Sequence, residues 1–295
     1  MTQLTELALD AWRPVLSADD QARVREQLEH GQVLFMPHLP FVLSAAEQLF
    51  LTPEATDGSA KNISLETNGD LKGARGNTDE LAAMRAMVMR FRDDATQLIG
   101  RLFPSYVPQL RRARTSLRVL EVEQRVSSYR KDDKRLHVDA FPSRPTHGER
   151  ILRVFSNINP QGVPRVWRLG EPFEDIARRF LPQISRPLPG SAVLLQALHI
   201  TKGRRSEYDH IMLHLHDRMK GDEEYQRSAP QETVALPPAS TWVVFSDQVS
   251  HAAMSGQHML EQTFHLPLKA LHERGATPLG ILERLRGRRL VASPE

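Results

Sequence analysis

The chain has 295 residues, 40% hydrophobic and 25% charged, the balance of a soluble globular protein. It contains no cysteine, which excludes disulfides, thiolate zinc sites, cysteine-ligated iron–sulfur clusters and a cysteine nucleophile, so histidines and carboxylates must hold any metal. A net charge of +3, with Arg far outnumbering Lys, fits an anionic ligand or equally a solvated basic surface, and the absence of a basic run interleaved with aromatics argues against nucleic acid as a partner.

Ser17 is a fitting N-cap for a helix over 18–30, ended by Gly31. Val33 to Met36 reads as a short apolar strand and Ser44 to Leu51 as a short helix. Residues 52–76, rich in Gly, Asn, Thr and Ser, read as a long loop, either a surface segment or a cover for an active site. Thr78 opens an amphipathic helix to about Leu102, with apolar residues at 81, 84, 87, 88, 91, 95 and 98.

The pattern then changes to alternation. Strands are expected over Thr115–Val126, Leu136–Phe141, Ile151–Ile158, Val166–Leu169, Thr233–Leu236, Trp242–Phe245, His251–Met254 and His258–Leu266. A helical insert (about 173–181 and 191–226) interrupts the series, and Thr277 to Arg286 reads as a closing helix. The expected fold class is α+β: a double-stranded β-helix of the jelly-roll, cupin-like kind, with N-terminal helices and a helical insert. We expect one domain over 1–295. Its helical N-terminal part covers about 1–110 and its core about 111–270, with the insert at about 171–228 and the last helix at about 277–288.

His137-Val138-Asp139 is the motif that carries chemistry. In an extended segment, side chains repeat every two residues, so His137 and Asp139 share a face. One more histidine would complete a 2-His-1-carboxylate facial triad, which leaves coordination positions open on non-haem Fe(II). Chance placement of 12 histidines nearly supplies one His-x-Asp, so the tripeptide needs its setting. His251 opens a late strand, where a jelly-roll iron site needs its third ligand; the other reading is a polar strand-end histidine. A competing cluster is His210 and His214, spaced i, i+4 on one helix face, with His216 pointing elsewhere. It lacks the Glu of a His-Glu-x-x-His zinc motif.

Arg118 and Arg153 sit mid-strand among apolar residues, where an arginine is costly unless paired or facing an anion. They suggest a mouth that binds carboxylates, or internal salt bridges such as Arg118 with Glu121 or Glu123. Arg165 and Trp167 share a strand face, suited to stacking on and pairing with an anionic sugar, or to an exposed barrel strand.

The stretch HVDAFPSRPTHGERILRVFSNINPQGVPRVWRLGEPFE, with TWVVFSDQVSHAAMSGQHMLEQTFHLP, resembles the 3-deoxy-D-manno-oct-2-ulosonic acid (Kdo) 3-hydroxylases. These belong to the Fe(II)- and 2-oxoglutarate-dependent dioxygenases, and the resemblance runs from about Val33 to about Arg286. It implies iron on His137, Asp139 and His251, with 2-oxoglutarate and O₂ as cosubstrates and ascorbate as a candidate reductant. It also implies hydroxylation at C3 of a Kdo sugar attached to lipid A, and functional roles for Arg118, Arg153, Arg165 and Trp167. Many members of the wider superfamily carry an Arg or Lys about ten residues after the distal histidine to grip the far carboxylate of 2-oxoglutarate. Here Gln262 is the nearest polar residue, so that role moves to Arg153 or Arg118.

No apolar run reaches the roughly 18 residues of a membrane span, and MTQLTELALDAW lacks the basic start and apolar core of a secretory signal. The expected location is cytoplasmic, peripheral at the inner face of an anionic inner membrane where lipid A anchors; oligomeric state stays open. Three rival readings remain, the first two being a dioxygenase of another small metabolite or protein side chain and a cupin-like metal-binding protein without turnover. A third is a basic membrane- or nucleic-acid-binding module in which His-x-Asp is chance.

Overall fold

The computed structural model describes residues 3–58, 62–122 and 128–292. Among them the elements run, in chain order, β1 (Leu4–Glu6), α1 (Ala18–Glu29), β2 (Val33–Met36), α2 (Ala45–Gln48), β3 (Ile63–Leu65) and β4 (Leu71–Lys72). There follow α3 (Thr78–Leu102), β5 (Arg111–Arg118), β6 (Arg150–Asn157) and β7 (Arg165–Leu169). The insert comprises α4 (Phe173–Phe180), α5 (Ser191–Ala197), α6 (Glu207–Gly221) and α7 (Glu223–Ser228). The chain closes with β8 (Glu232–Leu236), β9 (Thr241–Phe245), β10 (His251–Ser255), β11 (Met259–Leu266) and α8 (Pro278–Arg286).

Two sheets face each other. The large one has the order β1-β2-β9-β6-β11-β5-β3-β4, and the small one β10-β7-β8. His137 adds a fourth rung to the small sheet by a single bridge to His251. Stripped of its edge strands, the large sheet is β9-β6-β11-β5, so strands alternate between two four-membered layers except for β7 and β8, which are neighbours in the small one. That is the jelly roll expected from the strand spacing.

Residue parity divides the core. From β6, β9 and β11, Leu152, Val154, Val243, Phe245, Leu260 and Phe264 face outward onto α3. Phe155, Trp242, Val244 and Met259 face inward, between the sheets. The 25-residue α3 is opened by a reciprocal capping box between Asn77 and Glu80. It lays Met84, Met87, Val88, Phe91, Ala95 and Leu98 on the outer sheet face. Full burial of each large apolar chain there stabilises the fold by roughly 1.5–3 kcal/mol. A third cluster joins α4, α6 and α8 around Phe173, Phe180, Tyr208 and Leu215, so the insert has its own apolar seat.

Four segments differ from the sequence-based expectation. Within residues 52–76, expected as a long loop, β3 and β4 form a hairpin that pairs with β5 at the sheet edge, where Ile63 meets Leu117, while residues 59–61 lie outside those described. Isolated polar turn residues disguised two strands of only three and two residues. The strand expected over Thr115–Val126 begins earlier and stops at Arg118, and residues 123–127 lie outside those described. Leu136–Phe141 is extended but makes only the His137 rung of ladder pairing. β1, which the pattern did not suggest, pairs in parallel with β2.

Candidate metal centre

His137 and His251 are a directly opposed, hydrogen-bonded antiparallel pair. His137 N–H donates to His251 O at 3.0 Å, and His251 N–H donates to His137 O at 2.9 Å. Such a pair sets the two side chains next to each other across the strands, and their ring centroids are 4.6 Å apart. Two residues on, Asp139 N–H donates to Ser246 O at 2.8 Å, which turns the carboxylate toward the same point. The Ser246 turn is itself pinned: buried Arg150 meets Asp247 at 2.7 Å, and the other Asp247 oxygen accepts from Ile151 N–H. Close approach from the neighbouring strand is also required. Gly170 N–H donates to Ser250 O at 2.9 Å, and a Cβ on Gly170 would stand 2.5 Å from Ser250 Oγ.

The donor atoms of His137, Asp139 and His251 all lie within 4.8 Å of one another. Donors on one first-row ion stand about 2.0–2.2 Å from it, so modest side-chain rotation brings all three into contact. The chemistry of the donor set fits. His137 Nδ1 meets Arg135 O at 2.7 Å and His251 Nδ1 meets Val249 O at 2.9 Å. A carbonyl only accepts, so each Nδ1 carries the proton and each Nε2 presents a lone pair. Burial lowers the pKa of both imidazoles, and His251 and Lys220 push His137 down further, which keeps them neutral as ligands. Burial opposes ionisation of Asp139, but the Arg153 guanidinium, with a hydrogen bond from Ser246, outweighs it and holds its carboxyl well below the usual range.

The cleft before this triad is lined by Arg118, Asp133, Arg153, Arg165, Trp167 and Met259, among others. Arg153 bridges two carboxylates, Asp139 at 2.9 Å and Glu261 at 2.8 Å. Arg118 Nε meets the other Glu261 oxygen at 3.1 Å, and Arg118 Nη1 lies 3.9 Å from Asp133. Burial opposes ionisation of Glu261, yet Arg118 and Arg153 hold its pKa below the ordinary value. Arg118 and Arg153 both line the cleft, and both are paired with carboxylates. Their shared partner is Glu261, not a near neighbour in sequence; Glu123 lies outside the described residues. Arg165 lines the cleft while donating to Gly256 O at 2.8 Å. Gly256 has φ +107, and a Cβ there would press on Pro164 O and Arg165 Cα, so the turn that holds Arg165 depends on glycine. Trp167 stacks on the His251 ring, centroids 5.1 Å apart and planes at 23°.

Gln262 does not join the site. It is fully buried on the α3 side of β11, where its amide meets Thr115 Oγ1 at 2.5 Å and the carbonyls of Ala113 and Thr263. The strand parity that points Glu261 toward Arg118 and Arg153 points its neighbour away. The His210–His214 pair lies together on α6, centroids 4.3 Å apart, with His210 Nε2 against Ser185 O. His216, expected to point elsewhere, packs its edge on His137 at 5.4 Å and bonds Asp217. Glu261 and Asp133 are not among the residues that the sequence singles out, and His216 is singled out only beside His210 and His214. For Glu261 the signal was available, since Met259, Glu261, Thr263 and His265 alternate with Leu260, Phe264 and Leu266.

The family model of the 3-deoxy-D-manno-oct-2-ulosonic acid (Kdo) hydroxylases matches residues 11–289. The chain belongs to the Kdo hydroxylase family. It is thereby a non-haem dioxygenase dependent on Fe(II) and 2-oxoglutarate. Among solved structures, it is similar to the Kdo hydroxylase KdoO in complex with α-ketoglutarate and Fe(III), at 46% identity and a TM-score of 0.95. That match covers 99% of this chain and 98% of the other. The same hydroxylase in complex with cobalt(II) matches at 47% identity and a TM-score of 0.96, covering 100% and 99%. In complex with succinate and Fe(III) it matches at 46% identity and 0.95, covering 100% and 99%. No curated protein sequence matches this Kdo hydroxylase family member.

Proposed function

We propose that this enzyme, working as one domain, hydroxylates C3 of Kdo carried on lipid A, with iron held by His137 Nε2, His251 Nε2 and the Asp139 carboxylate. Bound there, iron supplies activation of O₂, coupling decarboxylation of 2-oxoglutarate to succinate and CO₂ with hydroxylation of the sugar. The protein's residues do the rest. The Arg135 and Val249 carbonyls fix both imidazole tautomers, and Arg153 keeps Asp139 ionised and oriented.

Arg153 and Arg118 bind the carboxylates of 2-oxoglutarate, and Arg165 with Trp167 receives the carboxylate and ring of the sugar. The observation that carries this reading is the coincidence, in one cleft, of a neutral two-histidine, one-carboxylate donor set with three arginines. No helix among the described residues is long and apolar enough to cross a membrane. Since lipid A stays in its bilayer, the enzyme works as a peripheral protein at the anionic cytoplasmic face of the inner membrane.

Anaerobic addition of Fe(II) and 2-oxoglutarate tests the centre. The visible charge-transfer band of a chelated complex is expected with the native chain and not with His251→Ala. Mass spectrometry of the product then tests the substrate: Kdo-bearing lipid A gains one oxygen on the sugar. Equal succinate release with lipid A lacking Kdo would overturn the assignment.

A further inference from the structure

The insert carries a surface that the site does not use. Leu188, Val193, Leu194, Leu198 and Ile200 are between 51% and 77% exposed, and no residue of α5 is buried. Single exposed leucines are ordinary, but five large apolar chains within thirteen consecutive positions form a patch that needs a partner. Its border is of one sign. No Asp or Glu occurs between Asp175 and Glu207, whereas Arg186, Lys202, Arg204 and Arg205 flank the apolar run on both sides. Arg186, Lys202 and Arg204 are exposed.

The patch is tied to the segment that follows Asp139. Lys202 N–H donates to Ser143 O at 2.8 Å, and Arg205 donates to Pro142 O. Ser143 follows the ligand Asp139 by four residues, a reach of at most about 14 Å of chain.

We propose that residues 186–205 dock this enzyme onto an anionic lipid bilayer. The apolar side chains around α5 enter the acyl layer, and the basic residues on either side meet headgroup phosphates. Charge decides against a second copy of the chain as the occupant. A symmetric self-contact would bring the same basic border against itself, with no acidic residue in the segment to pair it. The proposal rests on the lipid-linked substrate argued above only for the identity of the membrane. It joins the docked surface to the segment that carries Asp139, so that a sugar at the headgroup level can enter the cleft while its acyl anchor stays in the bilayer.

Co-sedimentation of the full chain with phosphatidylethanolamine–phosphatidylglycerol vesicles, against phosphatidylcholine vesicles, tests it. The native chain is expected to pellet with the anionic vesicles and less so at high salt. Joint Leu194→Glu and Leu198→Glu substitution should lower the bound fraction about tenfold or more. Joint Lys202→Glu and Arg204→Glu should remove the preference for anionic lipid. Both variants should keep native turnover on a soluble Kdo saccharide. Vesicle binding unchanged in both variants would overturn the docking role of this segment. Failure of the native chain to bind any vesicle would overturn docking itself, while turnover on the soluble saccharide would leave the hydroxylase reading standing. A native dimer that the leucine variant splits would assign the patch to a second copy and overturn the proposal as well.

Discussion

The two faces of strand β11 are built from neighbouring residues and do opposite work. Toward α3 stand Leu260, Gln262, Phe264 and Leu266, three of them part of the main apolar core. Toward the small sheet stand Met259, Glu261, Thr263 and His265, and Glu261 there is locked to Arg118 and Arg153. One face lowers the free energy of the fold by removing apolar area from water. The other spends some of that stability on buried charge, a combination that is rarely the most stable filling for a site. The difference teaches that reactivity here depends on parity, and that a rigid outer face lets the inner face carry ions at fixed spacing. If that division holds, substitutions on the two faces should separate stability from chemistry.

The largest effect is expected on the inner side, at the triad. Asp139→Ala should abolish iron-dependent succinate formation while leaving cooperative unfolding in place. The backbone bond from Asp139 to Ser246 survives the change, and Arg153 keeps Glu261 as a partner. Succinate release assayed beside a urea melt checks both halves, and turnover at the native rate would remove Asp139 from the metal.

Next in size is an outer-face change. Phe264→Ala removes a fully buried ring and should cost about 3–5 kcal/mol of stability. The urea midpoint should fall with little change in slope. Activity per folded molecule at low temperature should stay near native; a specific loss of turnover would show that the faces are not independent.

Glu261→Gln keeps the shape but removes the charge that both arginines share. Arg153 then has Asp139 as its remaining carboxylate and competes with the metal for it. Removal of such outer partners typically weakens metal affinity or activity about 10–100-fold, and a Co(II) titration followed by absorption measures it. Unchanged affinity would reduce Glu261 to filler.

The parts of this molecule that were legible in the sequence are those governed by local pattern. The eight core strands announce themselves by alternation or short apolar runs between Pro, Gly, Ser and Asp breakers, α3 by its apolar stripe, and α1 by Ser17, which accepts from Asp20 N–H. His137 and Asp139 were legible because two residues in an extended chain always share a face. What local pattern cannot reveal is pairing across distance. Arg118 and Glu261 stand 143 residues apart and meet only because β5 and β11 are neighbours in register, with Met259 opposite Arg118. The β3–β4 hairpin was hidden for a different reason: strands of three and two residues take their stability from the sheet edge and leave almost no periodicity in the sequence. The exposed α5 patch was read as part of an ordinary helical insert, since apolar residues in a helix pattern give no sign of whether anything covers them.

The smallest effect on activity, and the sharpest test of parity, is at Gln262. By position after the distal histidine it is the nearest polar residue to the place where many relatives in the wider superfamily carry a cation. By parity it belongs to the core. Gln262→Ala deletes the partners of Thr115 Oγ1 and of the Ala113 and Thr263 carbonyls, all on the α3 side. Leaving such buried groups unsatisfied costs about 1–3 kcal/mol. Stability should therefore fall by that amount while the KM for 2-oxoglutarate stays at its native value, because no Gln262 atom lines the cleft. Initial rates across a 2-oxoglutarate series, beside a denaturant melt, read both quantities from one preparation. A raised KM with native stability would place the amide at the cosubstrate and would break the division between the two faces of β11.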